Sequence, residues 1–149
     1  MTPQETPGLT TGAAGEAERV AGGSAHFEGG TGRSVTLEIP APTDWINTNR
    51  RYHPLAKAKL TKTWRLATSL AARNIPPLRT PVHITATIWK PRSGRYDPNN
   101  LADTSKACVD GLVDAGLIPD DSYKEVIGPD HRHGGKGPAK LVLEIKEIS

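Results

Sequence analysis

Residues 82–114 read VHITATIWKPRSGRYDPNNLADTSKACVDGLVD, and the spacing of apolar residues changes once along this stretch. In the first seven positions every second residue is apolar, which is typical of a β-strand. Its apolar positions are Val82, Ile84, Ala86 and Ile88. After the polar loop KPRSGRYDPNN, a helix is predicted from about Asn100 to Asp114. Its expected core face carries Leu101, Ser105, Cys108 and Leu112.

The segments on either side predict the rest of the fold. Upstream, a strand around residues 35–39 ends at Pro40, and a helix runs from about Leu55 to Asn74. The expected core face of that helix carries Leu60, Trp64, Ala67 and Ala71. Downstream, we expect a short strand in SYKEVIG, a loop in PDHRHGGKGP and a last strand over residues 141–145. The sequence therefore predicts an α/β (α+β) fold, a small mixed sheet of about four strands covered by two helices.

Composition separates residues 1–33 from the remainder of the 149-residue chain. The first 33 residues contain eight of the fifteen glycines and few bulky side chains. They cannot bury enough apolar surface to offset the entropy of ordering, so we interpret 1–33 as a flexible tail and 34–149 as the folded domain. A single cysteine excludes a disulfide framework and a cysteine-based zinc cage. Without a long apolar run or a secretory leader in MTPQETPGLT, we expect a soluble cytoplasmic protein with no membrane partner.

The net charge of +3 for the whole chain conceals a separation of charge within the domain. Residues 44–95 hold eleven Lys or Arg and one acid, whereas residues 96–130 hold eight acids and two lysines. Two interpretations remain open on charge alone. The halves are either two solvated faces of one domain, or a cationic surface for a polyanion beside carboxylates that hold a metal ion.

Two groups of acids flank the second predicted helix. Asp97 lies before it in YDPNNL, and Asp120 and Asp121 follow it in IPDDS. If the chain turns back beside the strand at 82–89, both groups meet at one edge of the sheet. Clustered carboxylates repel one another unless a cation intervenes, and oxygen ligands favour a hard ion such as Mg²⁺. Such an ion can activate water for attack on a phosphodiester. Alternatively, each acid is an ordinary turn or solvent residue.

The run DPNNLADTSKACVDGLVDAGLIPDDS at residues 97–122 resembles the signature of the RusA family of Holliday junction resolvases, in its phage and actinobacterial branch. The family pattern has an Asp-x-Asp-Asn-Leu start, a helical Lys-x-x-x-Asp-x-Leu, and a later Asp-Asp pair. The runs NTNRRYH, KAKLTKTWR and GPDHRHG also resemble this family. The resemblance covers residues 34–149.

This resemblance implies a RusA-like, homodimeric fold and an endonuclease that uses Mg²⁺, or Mn²⁺ in its place. The implied substrate is branched DNA, the four-way junction of recombination and repair, in a bacterium or a phage-infected cell. By position, Asp97 matches the first acid of the signature, and Asp121 matches the later catalytic acid with Asp120 as its neighbour. These acids are the implied metal ligands. Lys106 matches the helical lysine, implied to contact the scissile phosphate or the developing charge.

Asn99 departs from the family pattern, because it stands where the second acid of Asp-x-Asp is expected. Its amide can offer one carbonyl oxygen to a metal ion, but it brings no charge, and its nitrogen is a donor. Metal affinity and the activation of bound water should both be weaker. Three explanations stay open: a natural variant with weaker chemistry, a junction binder that does not cut, and an inactivating substitution.

Several basic side chains are candidates for contact with DNA phosphates, which fix position without reading sequence. They are Arg50, Arg51, His53, Lys57, Lys59, Lys62, Arg92 and Arg95. The competing interpretations are a solvated helix for the lysines and a basic turn for Arg92 and Arg95.

The remaining histidines, tryptophans and the cysteine are interpreted as structural or solvent residues. His131 and His133 are expected in a flexible Gly-rich loop, in contact with DNA or solvent. For Trp45 and Trp89 we favour core packing over stacking on DNA bases. Cys108 is expected to be a small core residue. At the level of function, the nuclease interpretation leaves two alternatives: a non-catalytic junction-binding protein, and a nuclease acting on flaps or other branched DNA.

Overall fold

The computed structural model describes residues 17–20, 23–28, 32–92 and 94–148. They form one six-stranded sheet and two α-helices, with a short 3-10 helix before the second. In chain order the elements are β1 (Ala17–Val20), β2 (Gly23–Glu28), β3 (Gly32–Pro40), α1 (Pro54–Ala72), β4 (Val82–Lys90), the 3-10 helix (Pro98–Leu101), α2 (Ala102–Asp114), β5 (Val126–Lys136) and β6 (Lys140–Glu147).

The strand order is β1-β2-β3-β6-β4-β5, and only β4 and β5 are parallel neighbours. A parallel pair needs a crossover connection, which α2 supplies here. The chain leaves the carboxyl end of β4, returns through α2 and enters β5. Asp97 therefore precedes α2, and Asp121 follows the opposite end of the same helix. The predicted class, a mixed sheet with two helices, is confirmed.

One face of the sheet packs against both helices. Alternate residues of β3, β4 and β6 are fully buried there, because successive side chains of a strand point to opposite faces. The buried strand residues are Val35, Leu37, Ile39, Val82, Ile84, Ala86, Ile88, Leu141, Leu143 and Ile145. They form a single core cluster with residues of both helices, which include Trp64 and Leu112. The strand residues that the sequence pattern predicted to face the core are the ones buried in the structure.

The two helices cross closely at Gly111. A Cβ atom added there would lie 2.5 Å from the carbonyl oxygen of Arg65 and 2.9 Å from Cβ of Thr68. At the same crossing, Arg65 donates two hydrogen bonds to the carboxylate of Asp114, at 2.6 and 2.8 Å. The guanidinium of Arg65 lowers the pKa of the Asp114 carboxyl. On α1 the fully buried residues are Trp64, Thr68 and Ala72, with the predicted Leu60, Ala67 and Ala71 half-buried beside them.

Gly116 ends α2 as the sequence predicted. Its φ of 80° lies in the left-handed region. Its N–H donates to Val113, and the next N–H, that of Leu117, donates to Leu112, both at 3.0 Å. These two bonds form a Schellman motif, which favours glycine because a Cβ is disfavoured at positive φ.

The predicted loop at residues 129–138 is wrong for most of its length. Residues 126–136 form β5, which pairs with β4 as far as Lys90 and contains two irregularities of register. The glycines that suggested a loop instead leave room for the side chain of Trp89. A Cβ atom at Gly134 would lie 2.5 Å from the Trp89 ring, and one at Gly135 would lie 3.2 Å from it. The Trp89 ring packs directly on the backbone of these glycines, in space that a Cβ atom would otherwise occupy.

The segment predicted as a tail contains two strands that the sequence analysis did not predict. β1 pairs with β2, and β2 pairs with β3 from Gly23 opposite Leu37 to Glu28 opposite Gly32. Residues 1–16 lie outside the described residues, and the flexibility of segment 1–33 stays a prediction. Within the described part of the chain, neither helix is long and apolar enough to cross a membrane.

Candidate active site

A groove of about 280 Å³ lies between α2 and the edge strand β5. It is lined by helix residues on one side and by the start of β5 on the other, with Asp121 among the lining side chains. The full lining is Ala102, Ser105, Lys106, Val109, Asp121, Val126, Gly128, Pro129 and His131. The crossover topology creates this groove, because α2 packs over the sheet while β5 forms its open edge.

Lys106 joins two carboxylates at this groove. Its Nζ lies 2.8 Å from Oδ1 of Asp110, one helical turn later, and 2.5 Å from Oδ2 of Asp121 beyond the helix. The hydrogen bonds that Lys106 donates to Asp110 and Asp121 raise the pKa of the lysine, and the bond to Asp121 lowers the pKa of that carboxyl. The ammonium and the Asp121 carboxylate are therefore both charged at neutral pH. The side chain of Lys106 remains 62% exposed, so a phosphate can approach it.

Asp97 caps the 3-10 helix instead of ending a strand, since β4 ends at Lys90. Its Oδ1 accepts a hydrogen bond from the backbone N–H of Asn99 at 2.9 Å. The side chains of Asp97 and Asn99 are exposed. Asp97 lines a second, open pocket with Gly94, Arg95, Tyr96 and His133. The capping role matches the turn interpretation of this aspartate and leaves its second oxygen available.

The structure brings together only part of the predicted site. Lys106 and Asp121 are in contact, and Asp120 accepts a hydrogen bond from the backbone N–H of Asp121 at 2.8 Å. Asp97 and Asn99 lie together at the start of the 3-10 helix, and Asp97 lines a pocket that shares no lining residue with the groove. Within the described residues, no group of three or more His, Cys, Asp or Glu is arranged to hold a metal ion.

The chemistry of the available donors fits Mg²⁺. Mg²⁺ keeps several waters and needs only one or two carboxylates together with a substrate phosphate. Asp121 lines the groove and Asp120 directly precedes it, so two neighbouring carboxylates are available there. Asp110 belongs to the helical Lys-x-x-x-Asp motif and had no predicted role, and its carboxylate accepts a hydrogen bond from Lys106. Its spacing of four residues from Lys106 was the signal that could have found it.

His131 and His133 are not in a flexible loop, as the sequence had suggested, but in β5. Nε2 of His131 lies 2.8 Å from Oγ of Ser105, and Nδ1 of His133 lies 2.5 Å from the hydroxyl of Tyr96. Their alternation with Asp130 and Arg132 was the available signal of a strand, which the prolines and glycines around it obscured.

The basic loop before α1 is attached to the start of the 3-10 helix and α2. Thr48 N–H donates to the carbonyl of Asn100 at 2.7 Å. Ile46 and Thr104 exchange two hydrogen bonds, at 2.8 and 3.0 Å. These bonds fix the segment that carries Arg50 and Arg51 next to the pocket of Asp97. Both arginines are exposed, and Arg50 lies 5.1 Å from the centre of the Tyr52 ring.

The other predicted DNA contacts are exposed side chains. His53 caps α1, its Nδ1 accepting from the N–H of Leu55 at 3.2 Å. Lys57 pairs with Asp103 of α2 at 3.1 Å, so one of the three α1 lysines has a partner. Lys59, Lys62, Arg92 and Arg95 are exposed, and Arg95 lines the pocket of Asp97.

Of the residues interpreted as core residues, Cys108 lies in the core and Trp45 packs against it, whereas Trp89 lies outside the core cluster and packs on Gly134 and Gly135 of β5. Trp45 stacks at 5.0 Å on the buried Trp64. Cys108 is fully buried, and burial raises the pKa of its thiol to about 12. A thiol that stays protonated at neutral pH is a poor nucleophile, so Cys108 has no part in the chemistry of the groove.

No protein-family model matches the chain, and a search of the curated proteins finds no match. The likeness to the RusA family therefore rests on the motifs themselves, and the function has to be argued from the groove and its charges.

Proposed function

We propose that this chain is a structure-selective DNA endonuclease that cuts four-way (Holliday) junctions by Mg²⁺-dependent hydrolysis of phosphodiesters. The observation that carries the proposal is the contact of Lys106 with Asp121, 2.5 Å apart in an open groove. These two residues are fifteen positions apart in sequence, and the motif resemblance assigns both of them to one catalytic site. The neighbouring basic loop supports DNA as the substrate.

Each charged side chain of the groove has a definite use in such a reaction. Asp121, with Asp97, Asp120 and the amide oxygen of Asn99, would hold Mg²⁺, which when bound lowers the pKa of a coordinated water and neutralises phosphate charge. Asp110 keeps Lys106 charged and oriented. Lys106 can then exchange a carboxylate partner for a phosphate oxygen, where its ammonium stabilises the charge that develops during attack. The basic side chains Arg50, Arg51 and Arg95 position the DNA backbone.

A homodimer is part of the proposal. A four-way junction has near two-fold symmetry, and its resolution needs two matched cuts. A symmetric dimer supplies two equivalent sites with the same geometry. We propose that recombination and repair in the cytoplasm is the setting in which such junctions are met.

The decisive experiment is a Mg²⁺ titration on an end-labelled four-way junction, with linear duplex and a flap substrate as controls. We expect nicks that depend on the divalent ion and that favour the four-way junction. Asp121→Asn should abolish nicking while the junction still shifts in a gel, because the substitution keeps the shape of the side chain and removes its charge. Nicking by Asp121→Asn at the parent rate would contradict the proposal.

A second candidate function follows from Asn99. The exposed amide in place of a carboxylate favours a protein that binds four-way junctions without cutting them. The same titration distinguishes the two functions, since a binder shifts the junction and yields no product at any Mg²⁺ or Mn²⁺ concentration. Preferential cutting of the flap would instead assign the activity to other branched DNA.

A further inference from the structure

His131 reaches the candidate groove from β5. It lies opposite Ala86 in the parallel ladder, so it points to the helix-covered face of the sheet, as the buried Ala86 does. On that face its Nε2 lies 2.8 Å from Oγ of Ser105, which is only 1% exposed. Ser105 precedes Lys106 on α2, and His131, Lys106 and Asp121 line the same groove.

The contacts of Ser105 determine which nitrogen of His131 carries the proton. Its hydroxyl donates to the carbonyl oxygen of Ala102 at 3.1 Å. A hydroxyl has one hydrogen and the carbonyl can only accept. Both contacts of Ser105 are therefore satisfied only if Nε2 of His131 carries a proton and donates it to Oγ. The basic lone pair then resides on Nδ1, which has no hydrogen-bond partner within the described residues.

We propose that His131 is the general base of this site, accepting on Nδ1 a proton from the attacking water, and that Ser105 is the residue that positions it. The inference rests on the proposed phosphodiester hydrolysis and extends it, since the family motif quoted from the sequence assigns no proton acceptor. Histidine is the side chain best suited to this role near neutral pH.

The step balances without any further reactant. The water oxygen forms a bond to phosphorus while one of its protons moves to Nδ1 of His131. The phosphorus–oxygen bond to the leaving sugar breaks, and its electron pair departs with that oxygen, which takes up a proton from solvent. The imidazolium formed is stabilised by the carboxylates of Asp130 and Asp97, and it returns its proton to solvent before the next turnover.

The charges around His131 are compatible with a neutral imidazole in the resting protein. Burial lowers its pKa, and Asp130 of β5 and Asp97 before the 3-10 helix oppose that effect. Lys106 of α2 and Asp121 share the groove with it, already paired with each other. The unprotonated form, which a base requires, is thus the form present at neutral pH.

The histidines at positions 83 and 133 do not line this groove. Nδ1 of His133 lies 2.5 Å from the hydroxyl of Tyr96, and both side chains line the pocket of Asp97. His83 lies on the opposite face of the sheet, where its Nε2 contacts Asp130 at 2.6 Å. His83 is therefore a matched control: a half-buried histidine with a hydrogen-bond partner, outside the groove.

The test compares single-turnover nicking of the four-way junction at saturating protein and Mg²⁺. It uses the full chain and its Asn99→Asp variant as parents, each with His131→Gln, Ser105→Ala or His83→Gln. Glutamine keeps a nitrogen donor for Ser105 and removes the basic Nδ1. We expect His131→Gln to lower the nicking rate about 10²- to 10⁴-fold with junction binding unchanged. His83→Gln should cut at the parent rate.

Ser105→Ala should lower the rate less, and it should weaken the preference for a proton on Nε2, because the hydroxyl oxygen that accepts this proton is removed. Long-range proton–nitrogen NMR spectra of the histidine rings measure that preference directly and do not depend on cleavage. The parent should show His131 neutral and protonated on Nε2 at neutral pH. A proton on Nδ1 overturns the inference, even if His131→Gln fails to fold.

The remaining outcomes separate the inference from the proposed function. If a parent nicks the junction and His131→Gln nicks it within twofold of that rate, the nuclease stands and His131 is not its base. If neither parent nicks any branched DNA with Mg²⁺ or Mn²⁺, the proposed function is overturned, and with it the reaction that His131 would serve.

Discussion

Asn99 controls how much negative charge the Asp97 end of the site offers to a cation. Its backbone N–H donates a hydrogen bond to Oδ1 of Asp97. Its side chain is exposed, so a carboxylate can replace the amide without steric cost. We therefore expect Asn99→Asp to raise Mg²⁺-dependent nicking of a four-way junction by about tenfold or more, as an additional ligand strengthens metal binding. The measurement is the nicking rate across a Mg²⁺ titration, together with junction affinity.

Asn100→Asp is the matched control for this prediction. It adds the same negative charge one residue later in the chain. Asn100 does not occupy the position of the second acid in the family pattern, and its backbone is hydrogen-bonded to Asp97 and Thr48. A rise with Asn99→Asp alone assigns the effect to metal ligation. An unchanged rate in the Asn99→Asp protein, with junction binding preserved, would contradict it.

Residue-level prediction succeeded at Gly116, which occupies the left-handed position expected at the end of a helix. The motif resemblance named both Lys106 and Asp121, and the structure places their side chains in contact. Prediction failed where the partner of a side chain comes from another element. Ser105 was assigned to the apolar face of α2 because its spacing fits, and nothing in the local sequence reveals that β5 presents His131 to it.

At the level of elements, the crossing of α1 and α2 depends on the absence of a side chain at Gly111. Alanine usually stabilises a helix interior relative to glycine, yet here its Cβ would lie 2.5 Å from a backbone oxygen of α1. The clash forces the helices apart, so we expect Gly111→Ala to lower the free energy of unfolding by about 1–3 kcal/mol. Urea denaturation followed by far-UV circular dichroism measures the change.

Gly94→Ala is the control for the helix crossing, since a Cβ atom there meets nothing within 4 Å. Its unfolding midpoint should match that of the parent. If Gly111→Ala has the parent's midpoint or a higher one, the helix propensity of alanine outweighs the contact, and the crossing is looser than the structure indicates.

The elements also show why helices were easier to predict than the edge strand. The apolar spacing of α2 continues without interruption through one hydrophobic face, and the burial of Leu101, Cys108 and Leu112 follows it. In β5 the alternation is broken by Gly128 and Pro129 and by irregularities of register. The strand persists because it pairs with β4 and lies under the Trp89 ring, and both are long-range contacts that a local pattern cannot encode.

At the level of the whole molecule, the basic and acidic segments of the chain are only partly separated in the folded structure. Two ion pairs between the basic and acidic segments neutralise members of both groups: Lys57 with Asp103, and Arg65 with Asp114. The simple interpretation of a basic half facing DNA therefore overstates the cationic surface. The predicted contacts that remain for a polyanion are the exposed Lys59 and Lys62, the arginines of the loop before α1, and Arg92 and Arg95.

Salt dependence tests whether α1 contributes to that surface. Each phosphate contact releases condensed counterions, so its loss should reduce the slope of log affinity against log salt by about 0.9. We expect that reduction for Lys59→Gln or Lys62→Gln, measured by fluorescence anisotropy on a labelled four-way junction without Mg²⁺. Lys124→Gln is the matched control, because it removes the same charge from an exposed position in the acidic segment. Equal slopes for all three variants and the parent would exclude α1 from the DNA interface and leave the loop arginines to carry the binding.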